Sequence, residues 1–254
     1  MVSIDRVYQK VLALANKEQR GYITPQEFNL FADHAQMEIF EQYFYDINQF
    51  RRVPGNNHEF SDPLKNLEQK ISIFEKYDQQ YTPLNDFGDI IIPSVTTVGV
   101  IYRLGMIRVR YKNQPNPILA EKIQLRQLMT YMQSPLTEAS KNLLAYYIEN
   151  PQHLTDSGII DRIKIYPYPS TDNSVDQVLI SYILKPTPPK WAYIILNDKP
   201  LYNSNNSTDF ELHESEETEL VYRILALAGV SIEKPQLTQI GAQLTSAQIQ
   251  QEKS

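Results

Sequence analysis

The chain has 254 residues, 42% of them hydrophobic and 21% charged, with a formal net charge of −6. This composition is globular, enough for one large core or two modest ones, and it excludes disorder throughout. It also offers no basic field to draw in nucleic acid by counterion release, which disfavours a primary DNA-binding role. The absence of cysteine excludes a disulfide framework, a thiolate zinc site and a cysteine nucleophile, and fits synthesis in a reducing cytoplasm. No apolar stretch of about 18 residues occurs, and the first six residues carry no basic region leading into an apolar one, so neither a membrane span nor a signal peptide is expected.

In chain order, Ile4, Val7, Val11, Leu12 and Leu14 stand at helical spacing and stop at Gly21. A second helix restarts at Thr24-Pro25-Gln26-Glu27. Thr24 suits an N-cap, Pro25 the first helical position, and Glu27 the third position of a capping box. The helix then carries Phe28, Phe31, Ala32, Ala35, Met37, Ile39, Phe40 and Tyr43. Gly21, Ile23 and Glu27 imitate half of an EF-hand, but the ligand positions fall on Asn16, Glu18 and Arg20. A cation at the fifth position disables calcium binding, and the capping box accounts for each matching residue.

Residues 51–62 (RRVPGNNHEFSD) read as an exposed loop built on Pro54-Gly55-Asn56-Asn57. Leu64, Leu67, Ile71 and Phe74 predict a third amphipathic helix over 63–77. The period then changes. Residues 89–93 and 98–111 read as strands, and Ile107-Arg108-Val109-Arg110-Tyr111 alternates strictly, with the arginines on one face. Residues 118–132 and 137–149 read as helical, although Tyr146, Tyr147 and Ile148 suit a strand equally. Further strands are expected at 159–168, 177–184 and 191–196, with the stiff connection Lys185-Pro186-Thr187-Pro188-Pro189-Lys190 between the last two. A C-terminal helix opens on the acids of residues 209–219, buries Leu220, Ile224, Leu225 and Leu227, and ends at Gly229.

The expected fold class is therefore α+β: an N-terminal helical segment, a central and C-terminal antiparallel or mixed sheet with flanking helices, and an extended C-terminal arm. The boundaries expected are a helical region at 1–85, an α+β region at 86–233 and a flexible or subunit-contacting arm at 234–254, with sparse Leu237, Ile240, Leu244 and Ile249. Strands do not alternate regularly with helices, which argues against a doubly wound nucleotide-binding sheet.

Chemistry is hard to find. His34, His58, His153 and His213 fall in no ligand pattern, and His213-Glu214-Ser215-Glu216-Glu217 has Glu where HExxH needs its second histidine. No nucleophile elbow, Walker loop or dinucleotide turn occurs. Asp86, Asp89, Asp161 and Asp176 could pair as general acid and base, but solvated loop charges are the commoner explanation of such residues. No catalytic, cofactor-binding or metal-binding residue is assigned. Seventeen tyrosines and sixteen prolines against eight glycines suit interfaces as well as a tyrosine-rich core, as do the clusters Tyr43-Phe44-Tyr45, Tyr146-Tyr147 and Tyr166-Pro167-Tyr168-Pro169.

Two stretches resemble a family of virion structural proteins from short-tailed bacteriophages, including the crAss-like group. The first is Gln19-Arg20-Gly21-Tyr22-Ile23-Thr24-Pro25-Gln26-Glu27-Phe28-Asn29-Leu30-Phe31. The second, residues 185–229, carries Pro188-Pro189-Lys190-Trp191, Leu201-Tyr202-Asn203 and Asp209-Phe210-Glu211-Leu212-His213-Glu214-Ser215-Glu216-Glu217-Thr218-Glu219-Leu220; together they make up about a quarter of the chain. The resemblance implies a head-to-tail connector of ring or adaptor type, made in the host cytoplasm and resident at the tail or portal vertex. Its partners would be further copies of itself, the portal and other tail proteins, with genomic DNA only passing non-specifically through a channel and no membrane involved. An acidic chain suits a channel wall past which DNA slides. The competing expectations are a capsid-decorating or tail receptor-binding module, and a carboxylate-dependent glycan hydrolase.

Overall fold

The computed structural model describes residues 1–17, 23–50, 63–81, 89–91, 99–111, 116–149, 162–167, 177–197 and 199–231, together with Gln243 and Ser246. It is an α+β protein whose chain forms two compact units, Met1–Ile73 with Pro186–Ser254, and Phe74–Lys185. These differ from the linear division at residues 85 and 233. The first unit is discontinuous because the C-terminal helix packs back onto the N-terminal ones.

The first unit contains α1 (Ile4–Lys17), α2 (Pro25–Phe50), α3 (Pro63–Ser72) and α5 (Glu217–Ser231). In α1 the buried residues Ile4, Val7, Tyr8, Val11 and Ala15 repeat every three or four positions, so one stripe faces inward. Leu14, counted with that stripe from spacing, is exposed. The start of α2 is as expected from sequence: Glu27 Oε2 accepts from the Thr24 N–H at 3.0 Å, and Thr24 Oγ1 accepts from the Glu27 N–H at 3.3 Å. The Thr24 hydroxyl, which donates to Glu27 Oε2 at 2.7 Å, and then the Thr24 N–H hold the carboxyl of Glu27 below its ordinary pKa. Phe28, Ala32, Ala35, Ile39 and Phe40 then form the buried side of α2.

Three helix boundaries are corrected here. The third helix stops at Ser72, because Glu75–Tyr81 is a strand (β1). The acidic C-terminal helix begins only at Glu217, after a short 3-10 turn at Glu214–Glu216, because the preceding segment is extended and Phe210 bridges to Val2. Gly229 lies inside α5 and does not terminate it.

Among the described residues, the second unit is a seven-stranded mixed sheet, in the order β1-β7-β3-β4-β5-β6-β2. Its strands are β1, β2 (Asp89–Ile91), β3 (Ile101–Arg110), β4 (Ile118–Lys122), β5 (Leu144–Glu149), β6 (Arg162–Tyr166) and β7 (Gln177–Leu184). Neighbours are antiparallel except the parallel pair β4 and β5. Ile90, Ile107, Val109, Ile163, Ile165, Val178 and Ile180 are among the residues of its buried aliphatic core. As expected, Arg108 and Arg110 face away from Ile107, Val109 and Tyr111. A bulge interrupts β1 at Asp78, whose φ is 51°. Its N–H donates to Ser181 Oγ at 3.2 Å and its carboxylate pairs with Arg108. Opposite, Gly105 lies where a Cβ would come within 2.9 Å of the Ser181 carbonyl oxygen, so only glycine lets β3 and β7 approach there.

Residues 118–132 and 137–149 were expected as helices, and the structure corrects both. The first divides into β4 and the short helix α4 (Leu125–Tyr131); the second yields β5, in which Leu144, Tyr146 and Tyr147 are buried. Ala120, Glu121 and Lys122 are good helix formers by intrinsic propensity, but pairing of β4 with β3 and β5 overrides it. The loop at 51–62, the EF-hand-like turn at 18–22 and nearly all of the arm at 234–254 lie outside the described residues. Among the described residues, no helix is long and apolar enough to cross a membrane.

Candidate functional site

None of the acids that sequence offered for catalysis has a described side chain. Asp86, Asp161 and Asp176 lie outside the described residues, as does the side chain of Asp89. The acidic run resolves instead into ion pairs within the first unit. Glu216, almost wholly buried, meets Lys70 at 2.5 Å. Glu219 and Glu38 pair with Arg223, and Glu217 takes Lys10 at 2.7 Å. Lys10, with help from Arg6, holds the Glu217 carboxyl below its ordinary pKa. His213 caps the 3-10 turn, its Nδ1 accepting from the Ser215 N–H at 3.3 Å, and His34 lies 3.1 Å from Glu38 on the surface of α2. Among the described residues, no cluster of three or more His, Asp or Glu side chains is placed to hold a metal.

What the first unit presents instead is an apolar hairpin on a rigid base. The strands are β8 (Tyr193–Leu196) and β9 (Lys199–Tyr202), antiparallel, with Ile194 opposite Leu201 and Leu196 opposite Lys199. Residues 197–198 connect them, and Asn197 has φ 49°, in the left-handed region that hairpin connections often use. Alternation puts Ile194, Leu196 and Leu201 on one face, all more than half exposed. Tyr193 and Tyr202, on the other face, stack against Trp191 at 5.8 and 5.7 Å.

Trp191 is 2% exposed and is the anchor of this base. Its indole N–H donates to Asp5 Oδ1 at 3.0 Å, and the ring of Tyr8 lies 4.3 Å away. Asn29 binds the Trp191 backbone twice, accepting its N–H at 2.8 Å and donating to its carbonyl at 3.2 Å. The root of the hairpin is closed by Asn203 N–H donating to the Ala192 carbonyl at 2.8 Å and by Ser207 Oγ accepting from the Ala192 N–H at 3.0 Å. Between α1 and the hairpin runs an open groove of about 610 Å³, lined by Leu12, Pro200, Leu201 and Tyr202 among others.

The second unit presents a different apolar surface, on α4 and the turns after it. Gln127 Oε1 accepts from the Gln124 N–H at 3.1 Å and fixes the helix start, while Leu128 points inward beside Ile123 and Tyr147. Leu125, Met129, Met132 and Leu136 follow at steps of four, three and four residues and are exposed, Leu136 to 95%. Tyr131 and Leu143 extend the same exposed set. A pit of about 180 Å³ opens here, lined by Ile123, Leu128, Tyr131, Leu136 and Leu143 with Glu121. Isolated exposed apolar residues are ordinary on a protein surface; six along one short segment are not.

The described residues of the sequence motifs quoted for the phage resemblance lie in the first unit. Asp209 Oδ1 accepts the Ile4 N–H at 2.9 Å at the start of α1, Glu211 accepts the Thr187 N–H at 2.9 Å, and Phe210 and Leu212 are fully buried. The aromatic clusters divide. Tyr43, Tyr146 and Tyr147 are buried, and Tyr147 stacks on Tyr166 at 6.1 Å. Tyr45 is exposed. Sequence reading missed both apolar surfaces, although the spacing of Leu125, Met129, Met132 and Leu136 was the available signal for the second. No protein-family model matches this chain, and no curated protein matches it.

Proposed function

We propose that this chain is a non-enzymatic structural subunit of a phage virion, an oligomeric ring or adaptor that joins the portal to the tail and lines the DNA channel. One observation carries the reading: each of the two units bears its own exposed apolar surface, the β8–β9 hairpin on one and the α4 face on the other. A ring of identical subunits uses head-to-tail contacts, in which every copy needs two unlike surfaces. An enzyme has no such need. The resemblance of residues 19–31 and 185–229 to connector proteins of short-tailed phages supports the same reading, and the net charge of −6 suits a wall past which DNA slides without sticking. In this role the partners are other copies, the portal and tail proteins, at the portal vertex or tail of the virion.

Light scattering after size exclusion, with negative-stain images of each peak, tests this on the purified protein with and without the matching portal protein. A ring, formed alone or on the portal, is the expected result. A monomer that ignores the portal would overturn the reading and favour a capsid-decorating or receptor-binding module.

A further inference from the structure

We infer that the β8–β9 hairpin of one copy docks on the α4 surface of the next, with Leu196 at the hairpin end filling the pit beside Leu136. This rests on the ring reading above and names the surfaces that mate.

The hairpin is built as a donor. Among the described residues it is a two-stranded ribbon, packed on Trp191 through Tyr193 and Tyr202 but exposed on its other face, and such ribbons are of marginal stability without packing. Its base is pinned through Trp191 and Ala192, while Ile194, Ile195, Leu196 and Leu201 stand exposed. The outer edge of β8 pairs with no strand among the described residues, and proteins seldom leave an apolar edge bare unless it is used. Pro200 removes a donor from the other edge and leaves β8 as the active side.

The α4 surface is built as an acceptor. Its pit of about 180 Å³ takes one leucine-sized side chain and is too small for a peptide segment. Met129 and Met132, exposed on the same segment, are unbranched and adapt to a partner's shape. An anchor side chain in an apolar pit, ringed by weaker contacts, is how most interfaces concentrate their affinity.

Area argues that the occupant is a second copy. A half-exposed aliphatic or aromatic side chain offers about 100 Å². The three hairpin residues of that face, Ile194, Leu196 and Leu201, and the six around α4 together bring roughly 900 Å² of apolar area to one contact. At the usual apolar share of about 60%, the whole contact buries about 1,500 Å², the size of a stable pairwise interface. One contact of this kind covers both surfaces of every copy, whereas two-fold pairing of hairpins would leave every α4 face bare.

The chain contains no cysteine, so introduced thiols report cleanly. Leu196 and Leu136 are 58% and 95% exposed, and L196C and L136C should leave the fold intact. The two single variants, purified separately, are mixed in equal amounts and mildly oxidised, and the products are mapped by non-reducing gel and peptide mass. The expected product is a covalent dimer linking position 196 to position 136, with the double variant giving a ladder of multimers. A dimer linked 196 to 196 as the main product would overturn the inference in favour of hairpin pairing. So would a double variant that closes its disulfide within one chain. Light scattering of the wild type separates the two levels: an oligomer without the 196–136 link refutes this docking and spares the ring, and a monomer with and without portal refutes both.

Discussion

Each of the two units is held together internally by its own means. In the sheet unit, a mainly aliphatic core with a few tyrosines lies on a backbone ladder, and most of the buried side chains there carry no polar atoms. In the helical unit, the two ends of the chain are tied by polar side chains that bond backbone far away in sequence. Asn29 reaches Trp191, Gln36 reaches Thr187 and Glu211, and Asp209 reaches Ile4. Hydrophobic burial is tolerant of small changes in shape, whereas a buried polar group left without its partner costs its full desolvation. The helical unit should therefore be the less forgiving of conservative substitution.

The largest effects should fall on the cores. Phe28→Ala in the helical unit should cost about 3–5 kcal/mol and Ile163→Ala in the sheet about 2–5 kcal/mol. Each should raise amide exchange first in its own unit, and equal loss of protection in both would break the division. A sharper contrast comes from shape-conserving changes. Gln36→Leu keeps most of the volume but orphans the Thr187 carbonyl and the Glu211 N–H, and should cost about 2–4 kcal/mol by denaturant melting. Ile163→Val in the sheet should cost only about 1 kcal/mol. If the order reversed, the polar ties would not be what closes the helical unit. Thr24→Ala, which removes the α2 cap, should cost about 1 kcal/mol.

The smallest effects are in pH dependence. Glu217 has its folded pKa lowered below the ordinary 4.5 by Lys10, so its contribution is complete above that pH and fades as pH falls through the folded value. Glu217→Gln should flatten that part of the acid limb of a stability profile. Tyr146 behaves oppositely. Burial raises its folded pKa above the ordinary 10.0, so its contribution is whole below pH 10.0 and is lost as pH rises beyond it. Tyr146→Phe should extend stability to higher pH.

Legibility in the sequence followed locality. The α2 start was readable because Thr24, Pro25 and Glu27 make their bonds within one turn. Strands β3 and β7 were readable because alternation in one and a continuous apolar run in the other are tertiary burial written locally. Strand β1 escaped because Glu75, Lys76, Asp78, Gln79 and Gln80 carry no apolar pattern, and only pairing with β7 makes them a strand. Strand β4 escaped because Ala120, Glu121 and Lys122 favour helix locally, and only pairing with β3 and β5 makes them a strand. The discontinuous helical unit depends on contacts such as Asn29 with Trp191, which no spacing announces. The hairpin surface was hidden because exposed Ile194, Ile195 and Leu196 read as ordinary strand residues with a buried face. In Lys199-Pro200-Leu201-Tyr202, proline masked the second strand.

The central claim is that the chain assembles head to tail through two unlike surfaces. The most direct test combines a Leu196→Asp variant, with its hairpin spoiled, and a Leu136→Asp variant, with its α4 surface spoiled, and follows their mass by light scattering. Each alone should remain at 29.5 kDa, since neither can grow past one copy, and the equal mixture should reach twice that mass and stop, because one good contact survives between the two. An oligomer that persists in either variant alone, or a mixture that stays monomeric while the wild type assembles, would contradict the claim.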